Sequence, residues 1–372
     1  MEKIVGTNLG NWLVLEKWMS PYLFEGTDAE DETWLVRTLP QDKLAEKMKK
    51  HRDTYVSEED FANIASHGMN LVRIPVPYFI FGDRPPFLGC LEYLDLAFEW
   101  AQKYGLKVLI DLHTVPGSQN GYDNGGLTGV CKWFKNKEEV QFALSVLERL
   151  AKRYASHSAL YGIEVLNEPI SFSVYMTAPT TGKARDKEEA KGSGYVPMSF
   201  LKPFYEKAYR VLRKYLEEDK VIVFHDGFRL GRWGGFFQKK GMKNVVLDTH
   251  IYIFAMENFV PFHTKWVYRL YMAFNAWQLR RAGRHTPVIV GEWCIANRWA
   301  QSLLDGSKTE GDCRRAYREV ARLQKDVWDQ TAGHIYWNYQ LYRDREATFD
   351  ESWKNGWDLS RCWNNDWISF CD

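Results

Sequence analysis

Two glutamates carry the strongest chemical signal in the chain. Leu166-Asn167-Glu168-Pro169 follows one short apolar run, and Gly291-Glu292-Trp293 follows another. A lone glutamate at such a position is usually a surface or ion-paired group. Two that converge are what glycosidic hydrolysis requires: one carboxyl protonates the departing oxygen, and the other attacks the sugar or activates water. No metal or cofactor is implied. The 9 His lack H-E-x-x-H or H-x-H spacing, and the 6 Cys form no C-x-x-C pair. No G-x-x-x-x-G-K-[ST] occurs, and Thr7-Asn8-Leu9-Gly10-Asn11-Trp12 lacks the second and third glycines of a dinucleotide-binding turn. Cys294, two residues after Glu292, has no His beside it in sequence and reads as packing.

Residues 168 and 292 meet only if the fold brings them to one face. Apolar runs at 4–8, 70–75, 107–112, 160–166, 221–225, 245–250, 287–291 and 333–337 are mostly continuous, as in parallel strands buried on both faces. Amphipathic stretches alternate with them. One opens on the capping-box-like Ser57-Glu58-Glu59-Asp60, and another, 91–104, closes on Gly105. The others are 138–154, 199–216, 263–281 and 313–329. Eight strands alternating with helices, with no linker, predict one α/β domain over residues 1–372, a (β/α)8 barrel. The rival, a doubly wound sheet, would carry the missing glycine-rich turn. In the barrel the ends of the fourth and seventh strands share a rim. Stretches 12–56, 170–197 and 338–355 would leave from that rim and wall a pocket, with the charged run 183–191 as a solvated tip.

Composition narrows the partners. Lys+Arg 49 against Asp+Glu 48 gives a net charge of +1, with no single-sign block to draw nucleic acid or an anionic membrane. At 45% hydrophobic residues the chain is not disordered, and no apolar run approaches the ~20 residues of a membrane span. No basic segment followed by an apolar one opens the sequence, so the expectation is a cytoplasmic protein with reduced thiols. Aromatic residues reach 15%, more than a core needs, and their faces suit the C–H faces of sugar rings.

Asn167-Glu168-Pro169 with the Glu292 strand end resembles glycoside hydrolase family 5, a family of retaining (β/α)8 glycosidases. The resemblance is closest to its exo-β-1,3-glucanase and β-glucosidase branch. Three blocks carry it: Gly6-Thr7-Asn8-Leu9-Gly10-Asn11-Trp12-Leu13-Val14-Leu15-Glu16-Lys17-Trp18, Val72-Arg73-Ile74-Pro75-Val76, and the stretch from Asp111-Leu112-His113 to Gly121-Tyr122-Asp123-Asn124. Tyr122 stands where that branch usually has Phe. The loop 170–197 and the tail after Trp337 match nothing in the pattern.

The resemblance implies roles. Glu168 is the acid/base, protonated near neutral pH because two close carboxyls cannot both ionise cheaply. Glu292 is the nucleophile, kept ionised by Arg73 and oriented by Tyr252. Asn167 binds the sugar 2-OH, and His113 and His250 line the reacting subsite. Glu16 accepts from distal hydroxyls, Trp337 is the stacking floor, and Tyr122 and Phe254 face the aglycone. The implied function is exo-acting hydrolysis of terminal β-linked glucose from a small β-glucoside or β-gluco-oligosaccharide. The alternatives are an endo-β-glucanase or β-mannanase with an open cleft, or a non-catalytic carbohydrate-binding barrel. A barrel enzyme for phosphorylated metabolites would need a glycine-rich phosphate loop late in the chain, which is missing.

Overall fold

The structure, a computed structural model, describes residues 2–177, 181–305, 310–341 and 352–371. Eight parallel strands close in sequence order: β1 (Ile4–Asn8), β2 (Leu71–Val76), β3 (Lys107–Leu112), β4 (Leu160–Glu164), β5 (Val221–His225), β6 (Val245–His250), β7 (Val288–Trp293) and β8 (Gly333–Tyr336). β8 returns to β1 through Ile4↔Gly333 to Thr7↔Tyr336, which leaves no edge. The expected (β/α)8 barrel is the observed fold.

The interior changes character along its axis. Ile4, Leu71, Leu109, Val221, Val223, Val246, Ile289 and Ile335 plug its lower half. Strand side chains repeat every two residues on one face. The same inward rows therefore continue from Leu71 to Arg73, Leu109 to Asp111, Val223 to His225 and Val246 to Asp248. The fold thus delivers charged groups to the carboxyl ends of the strands and seals them from below with aliphatic side chains. Register shifts between Thr249 and His250, and again between Val290 and Trp293, bring His250 opposite Glu292. Such irregularities re-aim side chains next to functional sites.

Most boundaries follow the sequence reading, with informative exceptions. β4 ends at Glu164 rather than 166, β7 runs on to Trp293, and Trp337 lies one residue beyond β8. The capping box forms with the shorter Asp60, whose Oδ2 accepts from Ser57 N at 2.8 Å. The stretch 12–56 is not a plain loop. It contains the helices Glu32–Thr38 and Gln41–Tyr55, packed on an apolar cluster that includes Leu15, Leu23, Phe24, Leu35 and Leu44. Asp31 starts the first by accepting from Trp34 N. Stretch 170–197 holds the short helices Phe172–Thr177 and Lys187–Ala190, the latter inside the charged run. Its residues 178–180, and residues 342–351 of the last stretch, lie outside the described residues. The β5-to-β6 crossover has only the turn Leu230–Arg232 and the four-residue helix Phe236–Lys239.

Gly162 shows how tight the barrel closure is. A Cβ there would sit 2.1 Å from the backbone oxygen of Val221 on the neighbouring strand. Gly162→Ala should therefore destabilise by about 1–3 kcal/mol, outweighing the ~0.4–1 kcal/mol gained from a stiffer unfolded chain. The check is the midpoint of denaturant unfolding, and an unchanged or raised midpoint would show that the barrel breathes at this seam.

Candidate active site

At the upper end of the barrel one guanidinium organises everything around it. Arg73 is fully buried, and five groups meet it. Its Nε donates to Glu164 Oε2 at 2.7 Å, Nη1 donates to Asn8 Oδ1 at 2.9 Å and Glu292 Oε1 at 3.1 Å, and Nη2 donates to Asn167 Oδ1 at 3.0 Å. Asp111 Oδ2 lies 3.1 Å from Nη2. Burial alone would lower the guanidinium's affinity for its proton, but Asp111, Glu164 and Glu292 outweigh it and raise that affinity well above normal. Arg73 is therefore a permanent cation, and it places Asn167 and Glu292 on either side of one space.

Glu292 accepts from Tyr252 Oη at 2.7 Å on the oxygen that Arg73 leaves free. Glu168 Oε1 faces His250 Nδ1 at 2.8 Å, and its Oε2 accepts from Asn124 Nδ2 at 3.1 Å. The same His250 Nδ1 is 3.3 Å from Glu292 Oε2, and His250 Nε2 is 3.4 Å from Asp248 Oδ2. One imidazole thus sits among three carboxylates. Burial lowers its pKa, but the carboxylates, led by Glu292, raise it well above the usual histidine range. His250 is thus biased toward the imidazolium form. Glu168, His225 and His250, and separately Glu164, Asp248 and His250, gather metal-ligand atom types.

The protonation pattern reverses the expectation that Glu168 keeps its proton. Burial would raise Glu168, but the hydrogen bond and charge of His250, helped by Asn124, hold it below the ordinary glutamate value. Burial raises Glu292 above that value, against the opposing charge of His250. One hydrogen bond thus holds Glu168 below and His250 above their ordinary values. Glu168 also adopts φ +43°, the left-handed region that costs a side chain of its kind about 1–2 kcal/mol. The turn after β4 spends that energy to aim the carboxylate at His250.

The remaining expected residues surround this core. His113 Nδ1 donates to Asp111, leaving Nε2 to accept from Asn167 Nδ2 at 3.3 Å. The His113 ring lies parallel to Trp337 at 5.8 Å. Trp337 reaches its place because Gly10 has no side chain, and a Cβ there would come within 2.5 Å of the indole. Glu16 accepts from Trp18 Nε1 at 2.7 Å. Burial first, then the charges of Asp123, Glu292 and Glu168, push its pKa well up. Tyr122 is half-buried, its phenol raised by burial and then by the Glu168 charge. Phe254, the most exposed of the set, packs edge-on against Trp357 at 5.5 Å. The expected positions are joined to Glu168 and Glu292 by direct contacts, through Trp18 and Trp357, or, for Tyr122, by charge. Cys294 is buried with its thiol pushed well up by burial, as packing requires.

Sequence reading missed several members. Glu164 and Asp248 were visible as charges inside apolar parallel strands, a placement that demands a partner. Asn8 holds the floor of the site, donating to Gly291 O at 2.9 Å and Tyr336 O at 3.1 Å. His225 meets His250 edge-on at 4.3 Å and is kept neutral by burial, its Nδ1 accepting from Gly227 N. Trp357 touches Trp18, Tyr252 and Phe254 at 5.4, 5.1 and 5.5 Å. It comes from the tail that matched no pattern, and no local signal announced it.

A neighbouring carboxyl gives a test of this electrostatic arrangement. Burial raises buried Asp226 to about 7, opposed by hydrogen bonds from Phe228 N and Thr249 Oγ1. A carboxyl raised in the folded state stabilises the fold below its unfolded pKa of ~3.9, and that stabilisation is lost as pH rises through the folded value. Asp226→Asn keeps the bond accepted from Phe228 N, replaces the other by Nδ2 donating to Thr249 Oγ1, and removes the charge. Its stability relative to wild type should grow by up to about 1.4 kcal/mol per pH unit between about pH 4 and about pH 7, then level off. Urea unfolding across that range measures it, and a difference that is flat with pH would refute the assigned charge.

Comparison with known proteins completes the description. The family model for cellulase (glycosyl hydrolase family 5) matches residues 41–340. The chain is 33% identical to a probable glucan 1,3-beta-glucosidase A of Aspergillus terreus, covering 98% of this chain and 87% of that protein. It is 37% identical to a probable glucan 1,3-beta-glucosidase A of Emericella nidulans, covering 96% and 88%. Among solved structures, the rutinosidase from Aspergillus niger superposes with a TM-score of 0.76 at 20% identity over 99% of this chain and 98% of that one, which shows a shared fold. A closed parallel barrel, the family match through most of its length and relatives spanning nearly the whole chain lead to one assignment: the chain belongs to glycosyl hydrolase family 5 and is a glycoside hydrolase.

Proposed function

We propose that the chain is a retaining, exo-acting β-glucosidase that releases terminal glucose from β-1,3-linked gluco-oligosaccharides or small glucosides, with Glu292 as nucleophile and Glu168 as acid/base. One observation carries the reading. A single imidazole nitrogen contacts both carboxylates, at 2.8 and 3.3 Å, so their nearest oxygens are no farther apart than those lengths together. That bound falls short of the ~6.5–9.5 Å of an inverting pair and so favours retention. Exo action is favoured by enclosure, since Glu16, Glu168 and Glu292 are only 5%, 6% and 3% exposed. The relatives named as glucan 1,3-beta-glucosidases support the linkage.

In this mechanism the proton begins on His250. When a sugar displaces water, the proton moves along the 2.8 Å hydrogen bond to Glu168 Oε1, leaving neutral His250 and a neutral acid. The transfer removes both the His250 charge that lowers Glu292 and the Glu168 charge that raises it, and Arg73 and Tyr252 are left to hold the nucleophile ionised. Glu168 protonates the leaving oxygen while Glu292 bonds to the anomeric carbon. Glu168 then takes a proton from the water that breaks the glycosyl ester. Asn167 has a second amide hydrogen for the 2-OH, Trp337 lies beneath the ring, and Glu16 accepts from distal hydroxyls. Tyr122 and Phe254 flank the aglycone.

Two measurements test the proposal. A laminari-oligosaccharide should give glucose as its first and dominant product, and early mid-length fragments would instead indicate an open-cleft endo-glucanase. Glu168→Ala should slow glycosylation of an alkyl glucoside by about 10²–10⁴-fold but nearly spare a dinitrophenyl glucoside. That substrate should show a burst and a slow steady state that azide accelerates, yielding the β-azide. Absence of azide rescue would remove Glu168 from the acid/base role, and an α-azide would overturn retention.

A further inference from the structure

We infer that one side of the barrel, centred on the helix Lys265–Gly283, is a docking face for an anionic membrane surface. The inner side of this helix packs Tyr268, Met272, Ala276 and Leu279 into the protein. Its outer side carries a second apolar row, set among the exposed Arg269, Arg280 and Arg281. Trp266, Leu270, Phe274 and Trp277 recur at helical spacing and are 51–65% exposed, and Phe259 and Phe262 on the approach are 75% and 70% exposed. An apolar row on a solvent-facing side calls for a covering surface, since scattered exposure would not give one stripe. The cause lies in the chain's topology. The β5-to-β6 crossover is only a turn and one four-residue helix, so no long helix stands where a full βα unit would cover this flank.

Charge identifies the occupant. No Asp or Glu occurs between Glu257 and Glu292, while Lys265, Arg269, Arg280, Arg281 and Arg284 do. Lys265 and Arg269 lean on Glu319 at 2.8 and 3.7 Å, and Arg280 reaches only the amide oxygen of Gln330. Among the described residues, no carboxylate pairs with Arg280, Arg281 or Arg284. Beside the stripe a cavity of about 560 Å³ is lined by Arg229, Arg232, Trp277, Arg281 and His285, together with Phe228, Leu230, Gly231, Gly234, Gln278 and Ala282, none of them acidic. Its charge suits a phosphate headgroup. A second copy docking about a two-fold axis would set this basic face against itself. Aromatic and aliphatic side chains with interleaved arginines, and an axis free to lie flat, are the features of a helix seated at an anionic lipid interface.

The inference does not rest on the glucosidase reading, and its test is separate. Full-length protein is floated at low salt with vesicles of equal phosphatidylglycerol and phosphatidylcholine, and with phosphatidylcholine alone. At least about ten-fold more protein should float with the anionic vesicles, and added salt should release it. Trp266→Glu with Phe274→Glu should lose that binding, as should the exposed-charge pair Arg280→Glu with Arg281→Glu. Both variants should keep the wild-type thermal midpoint and hydrolytic rate on a soluble aryl glucoside. Equal flotation with both vesicles, no flotation, or wild-type binding by the Arg280/Arg281 variant would each overturn the inference. So would wild-type self-association at micromolar concentration that Trp266→Glu abolishes, because the stripe would then serve a second copy.

Discussion

The site depends on a buried cation that has nowhere else to go. Arg73 is cut off from water and touches Glu164, Asp111 and Glu292 while two amide oxygens complete its shell. Burying such a charge unpaired is prohibitive, and removing one member of a buried ionic set typically costs about 3–5 kcal/mol. The carboxylate count around Arg73 is therefore a condition of folding as much as of chemistry. Three acids crowd one guanidinium, and burial pushes Glu164 well up against the pull of Arg73. His250 adds a second cation above Asp248, Glu168 and Glu292. The two cations together orient one oxygen of Glu164, one of Glu168 and both of Glu292.

The electrostatic layout also explains why the aliphatic lower half of the barrel matters to chemistry. Ile4, Leu71, Leu109, Val223, Val246 and Ile289 exclude water from below, so the charges above interact in a medium far less polarisable than solvent. Asn8, bonded to the backbone of two other strands and to Arg73, ties the first, seventh and eighth strands at the level of the site. The floor is built from main chain: the Trp337 indole lies against Gly10, with no intervening side chain to relax. Walls made of loops and helices can vary around such a floor without altering its depth.

Much of this was legible in the sequence, and the limits are physical. Strand positions could be read because parallel strands buried on both faces must be continuous apolar runs, and the eight of them implied barrel closure. Glu168 and Glu292 stood out because each interrupts such a pattern at a strand end. Glu164 and Asp248 interrupt it within a strand, the stronger anomaly, yet single residues within a run do not reveal their partners. The pair alone did not reveal the group that draws Glu168 below its ordinary value. Its partner His250 is 82 residues away and binds both acids, a three-body effect that two-residue reasoning cannot supply. Trp357 was invisible for a different reason, since its place is set by contacts with Trp18, Tyr252 and Phe254 rather than by any local motif.

The left-handed backbone at Glu168 has a consequence for how such a protein changes over generations. Glycine and asparagine accept φ +43° with less strain than glutamate, so replacements at this position would make the molecule more robust while silencing it. Removing an ionised side chain from beside a second carboxylate pushes the same way. Drift under selection for folding alone would therefore erase the residue early, long before the barrel itself deteriorated. A descendant of this chain that had given up hydrolysis would be recognised by an intact Arg73 cluster, kept because the fold needs it, above an empty turn after the fourth strand.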